Sequence, residues 1–337
     1  MADQVRVGFV GCGGNAQGHM RQVAGSHLHL APGGQVRNED VTPLARIVGV
    51  CDVSEAAAQK AAEQFGAQAF PSHKAMLDAG ELDAVYISVP PFAHGEIELD
   101  VLDCGLPFFV EKPVALTLEL AQRIASRVRE TNTLTCVGYQ LRYTAAAQAT
   151  RAFLADKTVG MAVGRYWCPS GRGNTWLQQW AKSGGQVVEQ ATHTIDMMRF
   201  LCGDVTEVHC LQANRTLKEI DCPDHNVLAL KFASGALGAL TTCWAFEGWD
   251  GNVVDIFFDR YRIAWSVGAP TITPACEAFA VDAALGKSID EVFVEAVRTG
   301  DRSGILTPYE DAVKSLAVSL AANASARADQ PKRLTSL

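Results

Sequence analysis

No apolar stretch in the 337-residue sequence approaches the ~20 residues needed to cross a bilayer. The chain runs from Met1 through Gln4 straight into an apolar segment, so no leader is expected and the cytoplasm is the expected compartment. No Lys/Arg run offsets the formal net charge of -8, which would repel a phosphate backbone and argues against nucleic acid as a partner. There is no C-x-x-C pair either. The ten cysteines are scattered through apolar surroundings and read as reduced, small hydrophobes rather than bridges or metal ligands. His27 and His29 stand two apart with no thiol nearby, so they define no metal site and read as surface residues.

What is present is a large, ordinary globular composition, 48% hydrophobic and 20% charged, in a chain long enough for two domains. Apolar, β-branched runs at residues 5–10, 45–51, 84–89, 108–110 and 134–138 alternate with helix-compatible segments at 16–23, 54–65, 93–104 and 117–131. Such alternation predicts a parallel, doubly wound sheet over residues 1–138. The excess length between the first helix and the second strand, residues 25–43, reads as a long loop because Pro32-Gly33-Gly34 lies inside it. Residues 139–337 have a different texture and predict an α+β domain. Helices are expected over 145–154, 191–201 and from 308 past 322, with a strand at 163–168. Strands at 207–213, 226–232, 236–242 and 252–258 read as neighbours in an open, mostly antiparallel sheet, with a hairpin turn at Ala233-Ser234-Gly235.

Gly11-Cys12-Gly13-Gly14-Asn15-Ala16 follows the first strand and opens a helix, the context in which a G-x-G-x-x-A pattern suits a dinucleotide. Gly11 permits the tight turn, Gly13 lets the backbone approach a pyrophosphate, and Ala16 permits close helix packing, with helix N–H groups facing the phosphates. Asp52, ending the second strand, is placed to accept hydrogen bonds from a ribose and to repel a 2'-phosphate, favouring NAD over NADP. It stands thirty-nine residues beyond Gly13 rather than the ~20 of the compact fingerprint, and the other reading is a helix N-cap. Glu111-Lys112-Pro113 follows a buried strand at the carboxyl edge where such sheets place ligands, so Lys112 is an acid-base candidate with Glu111 orienting it. In the segment Gly184–Asp196, Glu189 and His193 are four apart and would share a face if both sat on one helix, where the carboxylate could orient the imidazole. Asp196, three beyond His193, reads as a second partner for the imidazole or, more often for such a position, as a solvated helix residue, and His19 as a helix residue near the cofactor.

Taken together, the glycine turn, Val89-Pro90-Pro91 with His94, Glu111-Lys112-Pro113, Gly138-Tyr139-Gln140 with Arg142-Tyr143, and Gly184-Gly185 leading to His193-x-x-Asp196 resemble the Gfo/Idh/MocA oxidoreductases, in the same order. The resemblance implies a Rossmann domain binding NAD through Gly11, Gly13, Gly14, Asn15, Ala16, Asp52, Val89, Pro90, His94, Glu111, Lys112 and Gln140. It implies a second domain whose open sheet mediates dimer or tetramer contacts. Lys112 matches the motif lysine and His193 the helix acid/base, while Glu189 stands where many members have Asp. A sugar, cyclitol or related polyol is then the expected substrate, lined by Lys112, Arg142, Tyr143, Trp167, Arg172, Asn174, Trp176 and His193, with Trp180 and Tyr309 as further candidates. Three activities fit: an NAD-dependent polyol dehydrogenase, a redox-neutral glycoside-cleaving relative, and a non-catalytic NAD-binding sensor.

Overall fold

The computed structural model describes residues 4–30, 36–40, 42–170, 175–266, 270–276, 278–282 and 286–334. β1 (Arg6–Val10) leads into the glycine turn and α1 (Gly14–Val23). There follow β2 (Ser26–Leu30), β3 (Val36–Asp40), β4 (Arg46–Cys51), α2 (Glu55–Phe65), β5 (Gln68–Phe70), α3 (His73–Asp78) and β6 (Ala84–Ile87). α4 (Glu96–Asp103), β7 (Phe108–Val110), α5 (Leu118–Thr131) and β8 (Thr135–Val137) complete the alternation. Beyond it lie α6 (Ala145–Leu154), β9 (Val159–Pro169), α7 (Trp180–Ser183), α8 (Gln186–Glu189) and α9 (Thr192–Cys202). Strands β10 (Val205–Ala213), β11 (His225–Phe232), β12 (Leu237–Cys243), β13 (Ala245–Phe258), β14 (Tyr261–Trp265) and β15 (Thr271–Thr273) come next. The chain ends through α10 (Ile289–Thr299), α11 (Tyr309–Ala328) and β16 (Lys332–Arg333).

These elements form two compact units: Met1–Glu111 with Arg123–Gly138 and Ser288–Tyr309, and Lys112–Gln122 with Tyr139–Lys287 and Glu310–Leu337. In the first, six strands pair in the order β5-β4-β1-β6-β7-β8, every pair parallel. The order reverses between β1 and β6, which opens a crevice at the carboxyl ends of the strands. Beneath it Phe9 stacks on Tyr86 at 4.5 Å and Tyr86 on Phe109 at 5.0 Å, with Phe293 of α10 edge-on to both Tyr86 and Phe109. The expected loop at 25–43 is corrected: β2 and β3 pair antiparallel with each other in a sheet of their own. The alternation His27-Leu28-His29-Leu30 carries the strand period of two. The expected helix over 93–104 starts only at Glu96, because Pro91–Ala93 turn in a 3-10 helix and Gly95 takes φ 127°.

In the second unit eight strands run β15-β14-β13-β9-β12-β11-β10-β16. The hairpin between β11 and β12 closes as expected, with Gly235 at φ 90°. The expectation that β12 and β13 are neighbours is corrected: β9 lies between them, parallel to β12 and antiparallel to β13. A parallel pair needs a long crossover, so no local turn signals it. α9 lies close over this sheet because two strand positions lack side chains. A Cβ on Gly164 would come within 2.9 Å of Met198 and Thr194, and one on Gly238 within 3.2 Å of Met198. On the sheet's exposed face two apolar pairs, Leu211 with Val227 on β10 and β11 and Leu237 with Met161 on β12 and β9, stand four residues apart along the strands.

Candidate active site

The glycine turn is held from both sides. Gly11 N–H donates to Cys51 O at 2.8 Å, and its φ of 94° belongs to the region that favours glycine. A Cβ there would meet Ser88 O at 2.2 Å, so Gly11 is required by space as well as by conformation. Gly13, Gly14 and Asn15 are exposed, a Cβ on Gly13 or Gly14 would meet nothing within 4 Å, and α1 has no side-chain cap. The first N–H groups of α1 are therefore open to an anion. Asp52 does not cap α2: Ser54 does, accepting from Ala57 N–H. The Asp52 carboxylate instead accepts from Cys12 N–H at 2.7 Å and Ser54 N–H at 2.8 Å, which fixes it beside the turn. Val89 and Pro90 are half-buried beyond β6, and Gln140 is exposed. The glycine turn and Asp52 of the first unit fit the pyrophosphate and ribose of a dinucleotide. The fully buried ring of His94 bonds Glu98 through Nδ1 at 2.5 Å, and Glu98 accepts from Gly95 N–H at the start of α4, while His94 Nε2 has no hydrogen-bond partner among the described residues.

His19 has a larger role than its position on α1 suggests. Its Nδ1 lies 2.8 Å from Asp290 Oδ1, and its Nε2 2.9 Å from Glu111 Oε1, so the ring joins α1, α10 and the end of β7. Burial disfavours a charged ring, but Asp290 and then Glu111 overcome it and push the pKa up to about 10. With both nitrogens donating, His19 is an imidazolium. Because its pKa is raised from about 6.5 in the unfolded chain, its stabilisation is complete below about pH 6.5 and is lost as pH rises through about 10. Urea unfolding of wild type and His19→Asn is expected to show a gap on the order of a few kcal/mol near neutral pH that closes toward pH ~10. A gap constant across that range would contradict the charged state.

In the second unit, two left-handed glycines shape the approach to the chemistry. Gly184 (φ 72°) ends α7 and Gly185 (φ 80°) starts α8, and a Cβ on either would meet Val188 or Trp180 at 3.0 Å. This turn delivers Glu189 to Lys112, whose Nζ donates to Glu189 O at 2.7 Å and to Oε1 at 3.1 Å. Both side chains are about nine-tenths buried, at 7% and 10% exposure. The expected Glu189-His193 pair is corrected. The two residues lie on different helices, α8 and α9, and Glu189 Oε2 is buried without a hydrogen-bond partner among the described residues. His193 sits in the first turn of α9, edge-on to Tyr139 at 5.9 Å, while Tyr139 Oη shares a hydrogen bond with Thr192 Oγ1. Every other residue of α9 is buried; His193 alone is partly open.

Several expected substrate residues lie elsewhere. Arg142 is corrected from a substrate ligand to a structural one: Nε and Nη2 grip Asp196 at 2.8 and 2.5 Å, and Nη1 reaches Asp311 at 2.7 Å. Asp196, expected in solvent, is 1% exposed. Tyr143 is 3% exposed, and Tyr309 is fully buried against Phe108 in the first unit, so neither presents a face to a ligand. Trp167 donates to Thr241 Oγ1 from the sheet, and Trp180 packs on the cluster of Tyr166, Cys168, Ala191 and Trp244. Trp176 is half-buried, and Arg172 and Asn174 lie outside the described residues. All ten cysteines are free, and burial pushes the Cys12 and Cys51 thiols up to about 12. No group of three His, Cys, Asp or Glu side chains among the described residues is placed to hold a metal ion, and no helix among them is long and apolar enough to cross a membrane. Reading the sequence missed Asp290 and Asp311, which reach His19 and Arg142 across 271 and 169 positions respectively and leave no local signal.

Residues 5–139 match the oxidoreductase family with an NAD-binding Rossmann fold, and residues 157–264 match the GFO/IDH/MocA C-terminal domain. The chain is 26% identical over 202 residues to scyllo-inositol 2-dehydrogenase (NAD(+)) of Bacillus subtilis (strain 168), covering 58% of this chain and 59% of that protein. It therefore spans about three fifths of that relative's length. It is also 26% identical over 330 residues to the rhizopine catabolism protein MocA of Rhizobium meliloti, covering 94% and 93% of the two chains. The solved structure of levoglucosan dehydrogenase in complex with NADH and L-sorbose superposes with a TM-score of 0.81 at 19% identity, covering 99% of this chain and 100% of that one. The chain belongs to the Gfo/Idh/MocA oxidoreductase family, with an NAD-binding Rossmann domain as its first part.

Proposed function

We propose that the protein is an NAD-dependent dehydrogenase acting on a secondary alcohol of a sugar, cyclitol or related polyol. The observation that carries this reading is the Lys112 ammonium, nine-tenths buried and held by both the carbonyl and the carboxylate of Glu189. In its neutral form an amine held this way can take a hydroxyl proton in oxidation, and as the ammonium it can return that proton in reduction. His193, the one open residue of its helix, can hold the developing oxyanion or exchange the same proton. Bound NAD supplies the hydride chemistry. Gly11, Gly13, Gly14, Asn15 and Ala16 would hold its pyrophosphate, and Asp52 its ribose, with the carboxylate selecting against a 2'-phosphate. The names of the inositol and levoglucosan dehydrogenases support a polyol over other alcohols.

The test is NADH formation by the purified chain against a panel of cyclitols and pyranoses. Turnover of at least one, faster with NAD than with NADP, is expected. Saturable NAD binding with no turnover across the panel would instead favour the sensor. Turnover of glycosides by protein carrying its own cofactor would favour the redox-neutral enzyme. We also propose that this sheet face, with its exposed Leu211, Val227, Leu237 and Met161, docks a second copy. Light scattering should give at least a dimer mass, and a monomer at micromolar concentration would refute it.

A further inference from the structure

At the far end of α9 from His193, the second unit contains a cleft of about 410 Å³, within the range of small-molecule sites. Phe200, Leu201 and Leu154 supply its apolar wall, and Arg142, Arg151 and Arg199 its cations. Two carboxylates, Asp204 and Asp311, also line it, but both are already neutralised. Asp204 receives Arg199 at 2.6 Å and Lys314 at 2.9 Å, and Asp311 receives Arg142 at 2.7 Å and Arg199 at 3.1 Å. With Asp196 behind Arg142, four cations face three carboxylates, leaving one positive charge in surplus.

That surplus resides on Arg151. It is exposed, its guanidinium lies 4.3 Å over the Phe200 ring, and it has no carboxylate partner among the described residues. Lying over an aromatic face leaves the guanidinium's edge donors free for a second, in-plane partner. Arg199 forms the floor behind it. Arg199, with a side chain only 2% exposed, has a buried Nε donor without a hydrogen-bond partner among the described residues.

We propose that this cleft binds a small organic anion, a carboxylate or phosphate monoester, whose oxyanion pairs with Arg151 while its body lies against the cleft wall at Leu154 and Leu201. The site is separate from Lys112 and His193, so its occupancy does not depend on the dehydrogenase reading.

Isothermal titration of the full chain at saturating NAD, with the dinucleotide phosphate site filled, tests the proposal using malonate and inorganic phosphate as separate probes. One saturable site for at least one probe is expected, weakened about tenfold or more in Arg151→Gln and partly restored in Arg151→Lys. Binding of malonate alone would assign the natural ligand to carboxylates, and of phosphate alone to phosphate monoesters. Arg151 is exposed, so matched unfolding temperatures should confirm that the variants are folded. No saturable heat from either probe overturns the proposal. So does equal affinity in wild type and Arg151→Gln, which would place the anion elsewhere.

Discussion

Lys112→Ala is expected to lower kcat/KM for the substrate found in the polyol panel by about 10²–10⁴-fold, the range for losing a positioned acid-base group. The loss should fall on kcat, because the proton moves in the transition state rather than on binding. Alanine also strands the Glu189 carboxylate in a buried position, so the variant alone would mix chemistry with folding. Lys112→Arg separates them. Its guanidinium keeps the charge beside Glu189 but does not give up a proton near neutral pH. Loss of turnover in a folded Lys112→Arg protein that still binds NAD supports proton transfer by Lys112. Near wild-type turnover in it would transfer the role to His193.

The second large effect is on stability. The side chains of Arg142 and Asp196 are 6% and 2% exposed, and Ser315 Oγ donates to Asp196 Oδ1 at 2.6 Å while accepting from Arg199 Nη1 at 2.7 Å. Burial works against a charged Asp311, yet Arg142 and Arg199 hold its carboxyl below the usual range. The network therefore ties the 3-10 turn at Gln140–Tyr143, α9 and α11 together. Removing one member strands its partners without water, so Arg142→Ala is expected to cost about 3–5 kcal/mol in urea unfolding. Arg142→Met with Asp196→Leu, which removes both charges and keeps volume, should recover a large part of that loss. A single-variant cost below about 1 kcal/mol would show that the pair contributes little.

α9 connects these two predictions. Asp196 anchors the helix one turn after His193, so the network that stabilises the second unit also fixes where the open imidazole points. A weakened Arg142 variant should therefore lose kcat before it loses NAD binding, since the glycine turn lies in the other unit.

The site features readable from sequence were local ones. The glycine turn was legible because φ at Gly11 and the open approach at Gly13 are properties of a few adjacent residues, and glycine is the residue that satisfies them. The strand runs were legible because parallel, doubly covered strands are continuously apolar. The Glu189-His193 spacing misled for a reason outside the segment. Trp244 Nε1 donates to Gln190 Oε1 at 2.5 Å, and Ala191 N–H reaches back to Gln186 O, so the chain turns between two short helices instead of continuing as one.

By itself, the sequence determined the alternating strands and helices of the first 138 residues, the family resemblance, the dinucleotide turn and Lys112 as a candidate, which follow from spacing or from single-residue conformation. Tertiary structure alone decided which charges meet. It gave Glu189 to Lys112, Asp290 and Glu111 to His19, and Asp196 and Asp311 to Arg142, and it slid β9 between β12 and β13. The physical reason is common to the charge pairs. A buried charge must find its counter-charge wherever packing brings one within about 3 Å, and that partner can stand anywhere in the chain.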